Sequence, residues 1–179
     1  MLQNSSISRV AEIFFNEPTK PHYLIEISKK AKLAHTSVLS NLERLQKTSI
    51  IKKGIEIRGK RKFPIYSAEF NSKEYRKDKK LHNLSKVYNS GLIEYLGDKL
   101  TPKCIVLFGS YSRGEDIEDS DLDIYIQSIK KEVDLKRFEK ILGRKIELHF
   151  NENFNNYSNE LKNNILNGNI LYGYLEVFK

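Results

Sequence analysis

Val106-Leu107-Phe108-Gly109-Ser110-Tyr111-Ser112-Arg113-Gly114-Glu115-Asp116-Ile117-Glu118-Asp119-Ser120-Asp121-Leu122-Asp123-Ile124-Tyr125-Ile126 is the stretch on which the reading of this chain turns. An apolar run ends in Gly109-Ser110. Ten residues follow, rich in turn formers and charge, and then Asp121-x-Asp123 opens a second apolar run. Side chains alternate along a strand, so Asp121, Asp123 and Tyr125 are expected on one face and Leu122, Ile124 and Ile126 on the other. Two carboxylates side by side repel unless a cation lies between them. Hard oxygen ligands favour magnesium or manganese there.

A third acid comes from Lys145-Ile146-Glu147-Leu148-His149-Phe150, which alternates polar and apolar and predicts another strand. Ile146, Leu148 and Phe150 are expected in a core and Glu147 on the opposite face. His149 shares that opposite face. It is within reach of a nucleotide, but it reads first as a satisfied or exposed histidine. Three carboxylates on neighbouring strands can hold two divalent ions about 4 Å apart, which clamp an in-line phosphoryl displacement. Gly109 permits close backbone approach to a phosphate, and Ser110 with its neighbouring amides, opening a short helix, can donate to a triphosphate. Arg113 is either the cation that meets a phosphate or a local salt-bridge partner.

Gly-Ser, ten residues and Asp-x-Asp resemble the signature of the polymerase-beta-type nucleotidyltransferases, and in particular of their minimal branch. The resemblance covers residues 91–179. It implies an α+β domain with a small mixed sheet and a metal-dependent enzyme that takes ATP as substrate. It further implies that Asp121, Asp123 and Glu147 are catalytic and bind two Mg2+ or Mn2+ ions. Gly109, Ser110 and Arg113 are then the nucleotide-binding residues. Glu147 stands where the family more often has aspartate. The competing reading of Glu115 to Asp123 is a solvated acidic turn, which leaves the strand pattern around the two aspartates unexplained.

The chain has 179 residues, enough for one medium domain or two small ones. Ten Tyr and nine Phe can furnish two cores. The single Cys104 excludes an internal disulfide and reads as buried, which points to a reducing, cytoplasmic setting. Neither a signal peptide nor a membrane-spanning apolar run is expected. Residues 1–90 hold 19 Lys and Arg against 8 Asp and Glu, a balance of +11; residues 91–179 hold 12 against 15, a balance of −3. A basic half suits a polyanion, and an acidic half suits a metal. Lysine-rich decoration of every surface is the plainer alternative.

In the basic half, Ile7, Val10, Ala11 and Phe14 have helical spacing, and Pro18 and Pro21 end that helix. Tyr23, Leu24, Ile27 and Ala31 mark a second helix. A third places Val38, Leu39, Leu42 and Leu45 inside and His35, Thr36, Ser37, Ser40, Asn41 and Arg44 outside. Ile50–Ile57 and Phe63–Glu69 read as strands joined by the cationic turn Arg58-Gly59-Lys60-Arg61-Lys62, with Pro64 suited to an edge strand. This pattern resembles the winged helix-turn-helix of microbial transcription regulators, over residues 5–70. The resemblance implies a domain at residues 1–70 that binds double-stranded DNA. Thr36, Ser37, Ser40, Asn41 and Arg44 would enter the major groove, and Arg58, Lys60, Arg61 and Lys62 would form a wing on the backbone or in the minor groove. A helical domain that binds protein or RNA is the alternative.

Residues 71–90 read as a linker helix, with Leu81, Leu84 and Tyr88 forming an apolar stripe that also suits a homodimer seam. The helix is expected to run on through Leu92, Tyr95 and Leu96, although Ser90-Gly91 weakens it. Asp134–Leu142 and Leu161–Leu166 read as helices, and Ile170–Phe178 as an apolar tail. Asn151–Asn159 reads as a loop. A minimal domain with no separate base-binding part predicts a shallow site with little base selectivity.

Minimal nucleotidyltransferases of this kind often act as antitoxins. The resemblance therefore implies transfer of AMP to a protein hydroxyl, on a toxin of the HEPN ribonuclease type, with the winged helix repressing the operon. Two other functions fit the residues. One is a transcription regulator that senses nucleotide without turnover. The other is an RNA or small-molecule nucleotidyltransferase, with the basic half gripping RNA.

Overall fold

The computed structural model describes residues 5–151 and 154–177. Two compact units divide the chain, Met1–Lys79 and Lys80–Lys179. The first is built from α1 (Ser6–Asn16), β1 (His22–Tyr23), α2 (Leu24–Ala31), α3 (His35–Lys47), β2 (Ile51–Arg58) and β3 (Arg61–Ala68). This is the winged helix-turn-helix arrangement. Ser5 caps α1 by accepting the Ser8 N–H at 3.3 Å, and the Glu26 carboxylate accepts the Tyr23 N–H at 3.0 Å where α2 begins. Val10, Phe14, Ile27, Val38, Leu42 and Leu45 form the core. Each fully buried large side chain stabilises the fold by about 1.5–3 kcal/mol.

The three helices and the hairpin lie where the sequence predicts them. Two orientations on α3 differ. Leu39, expected inside, is 40% exposed, and Asn41, expected outside, is buried. Position 41 lies three residues after Val38 and four before Leu45, so it falls on the inward stripe, while Leu39 is turned off it. Asn41 Oδ1 accepts a hydrogen bond from Ser6 Oγ on α1 at 3.4 Å. Pro64 also differs: β3 is the central strand of the sheet, whose order is β1-β3-β2. β1 is only two residues long, and its pairing stops at Ile65, so Pro64 has no partner on that side.

α4 (Lys73–Asn89) spans the division between the units. Tyr75 belongs to the first core, and its hydroxyl donates to the Phe14 carbonyl at 2.8 Å. Val87 belongs to the second core, whereas Leu81 and Tyr88 of the expected stripe are exposed. The helix does not run on: Gly91, at φ +75, ends it and caps α5 (Leu92–Leu100).

The second unit continues with β4 (Cys104–Phe108), α6 (Gly109–Arg113), β5 (Leu122–Ile126), α7 (Lys136–Leu142), β6 (Ile146–Phe150), a 3₁₀ turn at Phe154–Asn156, α8 (Asn159–Leu166) and β7 (Asn169–Gly173). The sheet order is β6-β5-β4-β7. β5 and β6 are parallel, with α7 in the crossover, and β4 is antiparallel to β5 and β7. Residues expected as an apolar tail thus supply an edge strand; Phe178 lies outside the described residues. β4 is buried on both faces. Ile105 and Leu107 join Leu122, Ile124, Phe138 and Leu142 on one side. Cys104, Val106, Phe108 and Tyr125 join Phe154 and Ile165 on the other. Among the described residues no helix is long and apolar enough to cross a membrane.

Candidate active site

β4, β5 and β6 run side by side where Phe108, Asp123 and Glu147 lie in one register row. Residues directly opposite share a face, so the two carboxylates project together. His149, two residues along from Glu147, joins them. Its Nε2 lies 3.5 Å from Asp123 Oδ1 and 3.8 Å from Glu147 Oε1. These are ion-pair approaches, and the Nε2 is buried with no hydrogen-bond partner. The Phe108 ring meets the imidazole edge-on at 5.1 Å. Asp123 holds the imidazole above its ordinary range, against the pull of burial, with the Glu147 charge adding to the effect. Glu147 remains 60% exposed and so is open to an incoming group.

Gly109 closes one side. It has φ +73, and a Cβ there would collide with Asp123 Oδ2. The left-handed backbone favours glycine, and a Cβ there would also force the Asp123 carboxylate to move. Ser110 follows, half-buried, and its carbonyl accepts the Glu115 N–H at 3.0 Å. Arg113 is engaged locally: its Nε donates to Glu115 Oε2 at 2.7 Å.

Asp121 does not lie on the strand. β5 begins at Leu122, whose N–H bonds the Lys145 carbonyl at 2.8 Å, so Asp121 is exposed just before it. Strand alternation does not bind a residue outside the ladder, and Asp121 lines an open groove of about 600 Å3 with Glu118, Asp119, Glu139, Arg144 and Lys145. Tyr125, expected beside the aspartates, is fully buried, and its hydroxyl donates to the Asn151 carbonyl at 3.2 Å.

Among the described residues, Asp123, Glu147 and His149 form one group whose ligand atoms lie within 4.8 Å of one another. Two carboxylate oxygens and a buried imidazole nitrogen are a donor set that fits a divalent cation.

Asp116 supports the turn from below. It is buried, accepts from Asn83 Nδ2 at 2.8 Å, and meets Arg144 Nη2 at 3.4 Å. Asn83 Nδ2 also donates to the Tyr111 carbonyl at 2.9 Å. In the sequence Asp116 is one acid among several in a polar turn; its partners are 33 and 28 residues away, where no local pattern points.

Of the expected DNA-contacting residues, Thr36, Ser40, Arg44, Lys60, Arg61 and Lys62 are exposed and Ser37 is half-buried. Asn41 is withdrawn into the helix packing. Arg58 is exposed but held: its Nη2 donates to the Tyr23 hydroxyl at 2.6 Å, its guanidinium lies 5.1 Å from the Tyr23 ring centre, and its Nε is 3.1 Å from Glu56.

Residues 91–175 match the family model described as "Polymerase beta, Nucleotidyltransferase". A "Putative protein adenylyltransferase" of Methanocaldococcus jannaschii is 44% identical over 61 residues, covering 30% of this chain and 61% of that protein. The chain therefore spans less than two thirds of that relative's length. A solved structure described as a "Possible transcriptional regulator from Methanosarcina mazei Go1" is similar over 54% of this chain and 78% of its own, with TM-score 0.37 and 20% identity. At that score the likeness is too slight to assign a fold or a role. The register row of Asp123 and Glu147 beside Gly109 lies inside the matched region, so the similarity of the C-terminal half to polymerase-beta-type nucleotidyltransferase domains includes these residues.

Proposed function

We propose that this protein is a DNA-binding nucleotidyltransferase that moves a nucleoside monophosphate, AMP from ATP, to a hydroxyl on a protein partner. The observation that carries the reading is the pairing of Asp123 with Glu147 beside the Gly109–Ser110 turn. Asp123 and Glu147, with Asp121 at the mouth of β5, are the residues to hold magnesium or manganese, which when bound neutralises phosphate charge. Gly109 and Ser110 hold the triphosphate through backbone amides and the Ser110 hydroxyl. Arg113 reaches it on release from Glu115. Glu147 accepts the proton of the acceptor hydroxyl. The acceptor oxygen bonds to the α-phosphorus, the α–β phosphoanhydride bond breaks, and pyrophosphate leaves.

A protein acceptor rests on the adenylyltransferase named among the relatives. A toxin partner, with autorepression through the basic unit, extends that reading. The second reading is a nucleotide-sensing regulator without turnover, and the position of Asp121 outside the carboxylate group favours it. Incubation with ATP labelled at the α-phosphate, a divalent ion and cell extract separates them. Label on a protein, lost in Asp123→Asn and Glu147→Gln, is the expected result. ATP and metal binding without label transfer selects the sensor.

A further inference from the structure

His149 lies against both carboxylates of the site. Its ring is braced by Phe108, and its buried Nε2 faces both Asp123 Oδ1 and Glu147 Oε1. Ligands of one octahedral ion, at bond lengths of roughly 2.1–2.2 Å, lie roughly 3 Å apart when adjacent and a little over 4 Å when opposite. The two nitrogen–oxygen separations, 3.5 and 3.8 Å, fall between these limits. The imidazole nitrogen can therefore share one ion with either carboxylate, and all three ligand atoms lie within 4.8 Å of one another. β6 supplies two of the donors from one face, and β5 supplies the third directly opposite Glu147.

We propose that His149 is itself a metal ligand and completes an Asp123–Glu147–His149 site that prefers a transition-metal dication such as Mn2+ over Mg2+. The inference rests on the nucleotidyltransferase reading and deepens it by naming the metal class. Imidazole nitrogen suits first-row transition ions, whereas Mg2+ keeps to oxygen donors and to water. Replacing one oxygen ligand by nitrogen thus shifts the preference without changing the charge of the carboxylate pair.

The test is Mn2+ titration of the full chain by electron paramagnetic resonance, followed by spin-echo detection of nitrogen coupled to the bound ion. Wild type is expected to bind Mn2+ with nitrogen modulation. His149→Ala should lose that modulation and weaken Mn2+ binding about tenfold or more, with Mg2+ affinity, read by competition, changed far less. Bound Mn2+ without nitrogen modulation in wild type, or equal Mn2+ affinity in the folded variant, overturns the inference and leaves the carboxylate reading intact. Failure of wild type to bind either ion overturns both. The wild-type spin-echo measurement decides the matter even where His149→Ala does not fold.

Discussion

At the scale of single residues, Gly109 and Asp116 constrain the site most. Gly109→Ala places a Cβ against the Asp123 carboxylate at a backbone angle that L-residues disfavour. The backbone term alone costs about 1–2 kcal/mol. Nucleotidyl transfer should fall about 100-fold, because a displacement of about 1 Å in a catalytic group has that effect. Paired thermal melts and transfer assays check this, and a variant with full activity would show that Asp123 is free to move. Asp116→Ala removes the acceptor that Asn83 and Arg144 share, leaving a nearly buried guanidinium without its carboxylate. Loss of one partner of a buried pair costs about 3–5 kcal/mol. Urea unfolding should show a loss of that order, with Asp116→Asn intermediate. A loss under about 1 kcal/mol would place Asp116 among ordinary surface acids.

At the scale of elements, the junction of α1, β1 and α2 titrates. Burial pushes the Glu17 carboxyl up, but Lys30, with which it is ion-paired, together with His22 and Lys20, outweighs burial and holds it below its ordinary 4.5. Burial, then the Lys30 charge, holds His22 below its ordinary 6.5, against Glu17. Both groups bind protons more tightly in the unfolded chain. The stability they contribute is therefore present above their ordinary values and declines as pH falls, first below 6.5 through His22 and then below 4.5 through Glu17. Thermal melts from about pH 8 to about pH 5 should show wild type losing stability relative to His22→Gln as pH falls, with His149 acting in the opposite sense in both. Parallel curves would exclude His22 as the source. The wing belongs to the same scale. Gly59, at φ +60, takes the first central position of a two-residue turn, which leaves Lys60, Arg61 and Lys62 exposed at its tip and Arg58 folded back on Tyr23.

At the scale of the whole molecule, charge divides between the halves, +11 over residues 1–90 and −3 over residues 91–179. DNA binding through the basic half should weaken with salt. Alanine at Lys60, Arg61 and Lys62 together should reduce the log–log salt slope by about 3, at roughly 0.9 for each phosphate no longer neutralised. Fluorescence anisotropy on duplex DNA at several salt concentrations measures it, and an unchanged slope would remove the wing from the interface. The sequence alone determined the three helices and basic hairpin, the strand before Gly109 and those after Asp121 and Lys145. Periodicity and turn residues report local backbone preference, and these elements are local. It also determined that Glu147 and His149 share a face of their strand, because alternation is a property of each strand, whereas the meeting of Asp123 with Glu147 required the pairing of β5 with β6. The rest required pairing between distant segments. β7 became a strand only by adding to the edge of β4, and Asp121 fell outside β5 because the ladder with β6 begins at Leu122. Asn41 turned inward to meet Ser6. Asp116 was buried by residues far along the chain, and His149 was brought to Asp123 by a parallel register that no single strand encodes. Such interactions depend on which segments meet in space, and one-dimensional patterning carries no record of that.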